Sequence, residues 1–295
     1  MKFVKPLNKL AIGTVQFGCS YGVSNKTGKV SIDSAKEILA YAKDAEIDVL
    51  DTAIAYGDSE LCLGQIGIDN WKVVSKLSEL PSGVDNIQKW AKDSLQGSLS
   101  RLKIPKLYGL LLHRPQQLLS VQGKEIYESL NLLKAEGLVN KIGISIYSPN
   151  ELDELFDCFS FDLVQAPFNI LDRSLEKSGW LSRLKSKAVE VHVRSIFLQG
   201  LLLMNPSDRP VYFDQWEPLW KEWEQWLYKS ELSPLQACIS FVLSNPNIDR
   251  VVVGVESLYQ LQEILSVRTV TSETAPDKLC CDDPDLINPA RWQLT

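Results

Sequence analysis

Short apolar runs that stop on a polar residue recur along this chain, with stretches of helical periodicity between them. LAIG at Leu10 to Gly13 opens the series, and VLD ends at Asp51. WKVVSKL then carries Lys76 and YGLLLHRP carries His113, followed by KIGISIYS with Ser145 and FDLVQ with Gln165. VEVHVRSIF holds Arg194 and Ser195, and RVVVG closes on Gly254. Brief runs that are apolar throughout read as strands covered on both faces. Ala35, Ile38, Leu39 and Ala42 then fall on one helical face, as do Ile87, Trp90, Ala91, Leu95, Leu99 and Leu102. Strict alternation of eight strands with helices implies a parallel sheet, which closes most simply as a single (β/α)8 TIM barrel across 1–295. An open doubly wound sheet is the alternative, but no GxGxxG follows a strand.

Local signals set boundaries to be tested. Ser34 with Glu37 has the spacing of a capping box, and Asp58 or Ser59 is placed to cap a short helix through Leu63. Ser148 opens a helix with Pro149 in its first turn, and another helix follows Ser174. Gly18, Gly22 and Gly28 permit unusual backbone angles in the first loop. After the seventh strand lies an insertion, 201–233, in which Trp216, Trp220, Trp223 and Trp226 share a helical face. That face either packs on the barrel rim or lines its mouth. The C-terminal segment, 270–295, with CCDDPDLINP, is expected to fold near the mouth.

Composition narrows the function classes. A net charge of -6 without clustered Lys and Arg argues against nucleic acid or an anionic membrane as partner. MKFVKPLNKL lacks the apolar core of a secretory signal, and no apolar run approaches the ~20 residues that span a bilayer, so a cytoplasmic protein is expected. Six cysteines without CxxC or His/Cys ligand spacing read as reduced thiols, with no metal assigned.

The chemistry lies in the polar residues that end the strands. In parallel strands these ends share one rim, which brings Asp51, Lys76 and His113 together, with Tyr56 on the loop after Asp51. A phenol with an ordinary pKa of about 10 needs a neighbouring cation to serve as a proton donor at neutral pH. The bland alternative is a satisfied Asp–Lys pair, a rim tyrosine and a core histidine. His192, two residues before Arg194, faces either the barrel interior or the helices and reads as a core residue.

With Asp51, Tyr56, Lys76 and His113 in this order, the chain resembles the aldo-keto reductase superfamily. IGTVQFG, LDTAIAYG, VSKL, LLLHRP, IGISIYS, VQAPFNILDR and QGLL carry the likeness along most of its length. The resemblance implies a barrel that binds NADP or NAD and interconverts an aldehyde or ketone with an alcohol. Tyr56 would be the general acid, Lys76 paired with Asp51 would favour the phenolate, and His113 would orient the carbonyl. Cofactor contacts would come from Gly13, Thr14, Asp51, Ser145, Gln165, Arg194, Ser195, Phe197, Gln199, Gly254, Glu256, Gln260 and Glu263. Substrate would meet Tyr21, Tyr56, His113 and Arg114. Asn169 and Arg173 fit a family segment with a structural role.

Three departures stand out. Ile146 replaces the asparagine that usually follows the nicotinamide-binding serine. VRSIFLQG replaces AYSPLG, so Arg194 stands where an aromatic ring usually stacks on the nicotinamide; a similar variant marks a bacterial branch associated with carbohydrate metabolism. Gly254 and Gln260 stand where many members hold the 2′-phosphate with Lys and Arg, and Glu256 lies nearby, so NADP, favoured by membership, is in competition with NAD. A small polar substrate such as a sugar derivative fits Arg114, Arg194 and Gln199 at the mouth. The rival readings are a Schiff-base enzyme using Lys76 with Tyr56 and Asp51 as proton carriers, a non-catalytic cofactor-binding redox sensor, and an epimerase or dehydratase that retains its cofactor. Oligomeric state is not legible in the sequence.

Overall fold

A computed structural model describes residues 6–267 and 275–294. Eight parallel strands close into a barrel in chain order. They are β1 (Leu10–Gly13), β2 (Val49–Asp51), β3 (Lys72–Leu77), β4 (Leu107–Leu112), β5 (Val139–Ser145), β6 (Leu163–Pro167), β7 (Glu190–Arg194) and β8 (Arg250–Gly254). The helices of the outer ring are α1 (Ile32–Asp44), α2 (Ser59–Ile66), α3 (Ile87–Leu102), α4 (Gly123–Ala135), α5 (Glu151–Cys158), α6 (Ser174–Lys177), α7 (Trp180–Ser186), α8 (Glu217–Ser230), α9 (Pro234–Ser244) and α10 (Leu258–Ser266). A short α11 (Pro284–Ile287) follows. None of the helices among the described residues is long and apolar enough to cross a membrane.

The two-residue period of a strand explains how this barrel presents chemistry at one end. Ala11, Val49, Val74, Leu111, Leu163 and Val252 pack together as an apolar layer. Two residues further along the same strands stand Gly13, Asp51, Lys76, His113, Gln165 and Gly254. Side chains two apart share a face. The polar strand ends therefore form the next layer up, at the C-terminal rim where barrel sites are built.

Several local boundaries differ from the sequence expectations. α1 is capped by Ser31, whose Oγ accepts from Ser34 N at 3.1 Å, rather than by a Ser34–Glu37 box. Asp58 precedes α2 but makes no side-chain cap. α5 begins at Glu151 rather than near Ser148, because the Glu151 carboxylate accepts from the Tyr147 and Ser148 N–H groups at 2.7 and 2.8 Å and holds 148–150 as a turn. The helix after Ser174 is interrupted at Gly179, whose φ of 78° ends α6 before α7 starts. Gln165 sits in the middle of β6, not at its end.

The insertion carries α8, whose Trp220, Trp223 and Trp226 are buried in a second apolar cluster with Leu198, Leu201, Phe213 and Leu286. Arg173 fastens the chain after 275 to the loop following β6 by donating to the Ala275 and Pro276 carbonyls at 3.2 and 2.9 Å.

One buried carboxylate ties the outer ring to the barrel. Glu60 of α2 accepts from Ser75 of β3 at 2.7 Å, from Ser98 of α3 at 2.5 Å, and pairs with Arg101 at 2.8 Å. Glu60→Ala leaves two buried hydroxyls and a guanidinium without their acceptor, while Arg101 keeps partial access to water. A loss of about 2 kcal/mol or more is expected, read from the urea midpoint.

Candidate active site

Lys76 is completely buried and its ammonium is fully committed. Nζ donates to Asp51 Oδ2 at 2.7 Å, Asp51 Oδ1 at 2.9 Å and the Thr52 carbonyl at 2.9 Å. Burial alone would lower its pKa, but the Asp51 carboxylate and the Tyr56 phenol reverse that and hold it above the ordinary lysine value. Gln165 Nε2 donates to Asp51 Oδ1 at 2.6 Å, which leaves Gln165 Oε1 buried with no partner among the described residues.

Tyr56, on the loop after β2, lies over the Lys76 ammonium with His113 beside it. The Lys76 ammonium is 4.9 Å from the Tyr56 ring centroid, and the Tyr56 and His113 rings meet edge to face at 5.8 Å. His113 is pushed down to about 4 by burial first, and then by the positive charges of Lys76 and Arg194. At neutral pH it is an uncharged imidazole able to donate one hydrogen bond.

The Tyr56 loop is held by close backbone packing. Thr14 Oγ1 donates to the Asp51 carbonyl at 2.9 Å, and Ser59 Oγ donates to the Thr14 carbonyl at 2.8 Å. Gly18 lies against the loop so tightly that a Cβ there would be 1.7 Å from the Tyr56 carbonyl oxygen and 2.6 Å from Ser59 N. Its φ of -110° is ordinary. The need for glycine here is therefore space, whereas Gly22 and Gly28, at φ of 107° and 79°, meet the conformational reason. Gly18→Ala is expected to displace Tyr56 and lower turnover by about 10²-fold, measured by kcat beside an unfolding curve that moves far less.

A cavity of about 280 Å³ opens over the tetrad, bounded by Gly13, Thr14, Tyr21, Asp51, Tyr56, His113, Arg194, Ser195, Phe197, Gln199 and Gly254. Gln16 and Tyr147 complete much of its wall and were not singled out from the sequence. A second cavity of about 600 Å³ shares Gln16, Tyr21, Phe197, Gln199 and Gly254 with the first and extends to Glu256, Gln260 and Glu263. Ser145 and Gln165 are buried and lie on neither lining, as does Lys76. His192 is buried and bonded to Glu190 at 2.6 Å, apart from the mouth. Asn169 has the structural role expected of it, donating from Nδ2 to the Ser195 carbonyl at 3.1 Å.

Arg194 does not hang free into this space. It donates to the Ile146 carbonyl at 3.0 Å, and its guanidinium lies 4.7 Å from the Tyr147 ring centroid. Arg114 approaches the same ring at 5.4 Å but lines neither cavity. The segment after Arg194 is strained, with Ser195, Leu198 and Gln199 at φ of 59°, 48° and 54°. Such conformations persist where surrounding contacts over-determine them, often at ligand sites. Here Gln199 O accepts from Val23 N at 3.1 Å and Gln199 Nε2 donates to Tyr21 OH at 3.1 Å, so the two loops close over the junction of the cavities.

A nicotinamide dinucleotide fits these features. The two cavities adjoin through shared lining residues, the smaller lying over Asp51, Tyr56 and His113, and Gln16 Oε1 on their shared wall is a buried acceptor without a partner among the described residues. A Cβ on Gly254 would be 2.5 Å from Gln16 Nε2, so the glycine leaves room for the Gln16 amide.

Known proteins share this fold along most of the chain. The uncharacterised oxidoreductase YqkF of Bacillus subtilis is 26% identical over 290 residues, covering 90% of each chain. Among solved structures, an aldo-keto reductase from Bacillus halodurans in its holo form superposes with a TM-score of 0.71 at 21% identity, over 90% of this chain and 88% of that one. A glycerol dehydrogenase from Gluconobacter oxydans gives a TM-score of 0.66 at 21% identity, over 88% of this chain and 86% of that one. The model of the Aldo/keto reductase family matches residues 9–275, and with the barrel and the rim residues in register, this chain belongs to that family of oxidoreductases.

Proposed function

We propose that the protein reduces the carbonyl group of a small polar substrate, and oxidises the corresponding alcohol, with NADH or NADPH held along the two adjoining cavities. The observation that carries this reading is the sealed Asp51–Lys76 pair directly beneath Tyr56, with neutral His113 at its side. When bound, the reduced nicotinamide supplies the hydride for the carbonyl carbon. Tyr56 gives its phenolic proton to the carbonyl oxygen, and the phenolate left behind is met by the Lys76 charge. His113 donates a hydrogen bond that orients the substrate oxygen. Gln165, buried outside the cavity lining, steadies Asp51 through its Nε2. The Arg194 guanidinium on the cavity wall favours a substrate with several hydroxyls or a negative charge, in keeping with a sugar derivative.

A Schiff-base role for Lys76 is poorly served by this geometry. An amine nucleophile must be exposed and deprotonated, whereas Lys76 is enclosed, fully hydrogen-bonded and held in its protonated state. Borohydride in the presence of a carbonyl substrate is expected to leave no adduct on Lys76.

The test is a panel of hydroxyaldehydes and ketosugars with reduced cofactor, followed by loss of nicotinamide absorbance. Turnover with any member supports the reading. Failure of folded protein to bind either reduced cofactor, measured by calorimetric titration, overturns it. The pH profile gives a further check. Because His113 titrates only near 4, kcat is expected to show no acid limb around the ordinary histidine value of about 6.5; a limb there would mean that His113 is charged in the working enzyme.

A further inference from the structure

We infer that Arg194 selects the substrate, and that the molecule it selects carries a carboxylate within a few bonds of the reducible carbonyl, as short oxo acids and sugar acids do. This rests on the reading of the site as a carbonyl reductase and narrows it from polar substrates in general to anionic ones.

Most arginines of this protein have found an acid. Arg101, Arg173, Arg183, Arg209, Arg250 and Arg291 each stand within 3.5 Å of a carboxylate oxygen. Among the described residues, Arg114 and Arg194 are the arginines without such a partner, and both lie against the Tyr147 ring, 5.4 and 4.7 Å from its centroid. Arg114 is exposed and lines neither cavity, whereas Arg194 is half-buried on the wall of the smaller one. A charge drawn partly out of water without a counter-charge costs free energy, which a bound anion would return.

The surroundings leave that charge standing. Besides Arg194, Asp51 is the charged side chain on this lining among the described residues, and its oxygens are taken up by Lys76 and Gln165. His113 is uncharged at neutral pH. Asp172 is near enough to feel Arg194, but it is buried off the lining, its Oδ1 accepts from Ser174 Oγ at 2.6 Å, and burial pushes its carboxyl above the ordinary range. Asp208, Glu256 and Glu263 line only the larger cavity.

The guanidinium is also held in place. One terminal nitrogen donates to the Ile146 carbonyl at 3.0 Å and the other to Ser195 Oγ at 3.3 Å, while the Tyr147 ring lies along its plane. The Nε–H and the second N–H of each terminal nitrogen have no partner among the described residues. A fixed planar fork of this kind matches the two oxygens of a carboxylate, and its rigidity lowers the cost of binding. Arg194 shares the smaller cavity with Tyr56 and His113 and does not line the larger, which puts the charge at the reacting end. A space of about 280 Å³ that must also admit the nicotinamide ring leaves only a few bonds between that carboxylate and a carbonyl meeting Tyr56.

Reduction of matched substrate pairs by the full chain tests this, with succinic semialdehyde against butanal and D-glucuronate against D-glucose. In at least one pair kcat/KM is expected to favour the anion by about ten-fold or more, as one charge-assisted fork would give. Arg194→Gln is expected to erase that gap, chiefly by raising KM for the anion, and Arg194→Lys, which keeps the charge without the fork, to retain part of it. The ratio compares two substrates on one protein, so a loss of folded enzyme does not move it. Wild-type protein without a preference for the anion in either pair overturns the inference while leaving the reductase reading intact. A preference that survives Arg194→Gln overturns the assignment to Arg194, and if calorimetric titration then shows weakened NADH and NADPH binding, the guanidinium serves the cofactor instead. Folded protein that reduces no member of either pair overturns the inference, and if it also binds neither reduced cofactor, the reading beneath it falls as well.

Discussion

Tyr56→Phe is expected to lower kcat for carbonyl reduction by about 10²–10⁴-fold, the range typical of losing a positioned general acid, while leaving cofactor affinity within a factor of a few. The ring keeps its edge-to-face contact with His113 at 5.8 Å and its place over the Lys76 ammonium at 4.9 Å. Only the hydroxyl is removed, so the cavity wall hardly changes. Neutral His113 cannot take over the proton, because its value of about 4 leaves it with a single N–H at working pH. Equal losses in kcat and kcat/KM with unchanged cofactor titration would place Tyr56 in the transition state rather than in ground-state binding. Retention of full turnover would remove Tyr56 from the chemistry and turn attention to the sensor reading, in which cofactor binding is the function and turnover is incidental.

Asp51, Lys76 and His113 could be placed together from the sequence because each stands at the end of an apolar run, while Tyr56 was singled out by its place on the loop after Asp51 and by the family resemblance. A polar residue two positions beyond a buried interior position shares its face one layer up, as in Val49–Asp51, Val74–Lys76 and Leu111–His113, with Lys76 enclosed below the mouth rather than lining it. The barrel itself was expected from the alternation of eight short apolar strands with amphipathic helices. What it did not give are contacts between loops distant in the chain. The Tyr21–Gln199 hydrogen bond joins residues 178 apart. Gln16 and Tyr147 lie within the IGTVQFG and IGISIYS segments but were not singled out there, and they stand on the cavity wall with Arg194, Ser195 and Gln199. Gly18 was visible as a glycine, but its steric role depends on the Tyr56 backbone passing behind it. Helix starts were misread where a side chain from within the helix captured the preceding turn, as Glu151 does with Tyr147 and Ser148 N–H. Arg194 was singled out as a departure from the family pattern; its anchoring on the Ile146 carbonyl and the Tyr147 ring follows from strand neighbours that no local pattern specifies.

Lys76→Met should abolish measurable reduction and also destabilise the fold by about 3–5 kcal/mol, since removing one member of a buried ion pair strands the other. Asp51 would remain 4% exposed, with Gln165 Nε2 at 2.6 Å and the Thr14–Ser59 network nearby but no cation. The two effects have different causes and are separable. In Lys76→Met with Asp51→Asn, the buried charge disappears, and the new amide oxygen can still accept from Gln165. Most of the lost stability should therefore return in chemical denaturation, because exchanging both members of a buried pair for neutral groups is often close to neutral. Activity should not return, because the phenolate formed when Tyr56 gives up its proton would face a thioether in place of an ammonium. Recovery of stability without turnover would show that the Asp51–Lys76 pair is kept for the chemistry of Tyr56 rather than for the barrel. Recovery of both would make it a structural pair and take away the main support for Tyr56 as the acid.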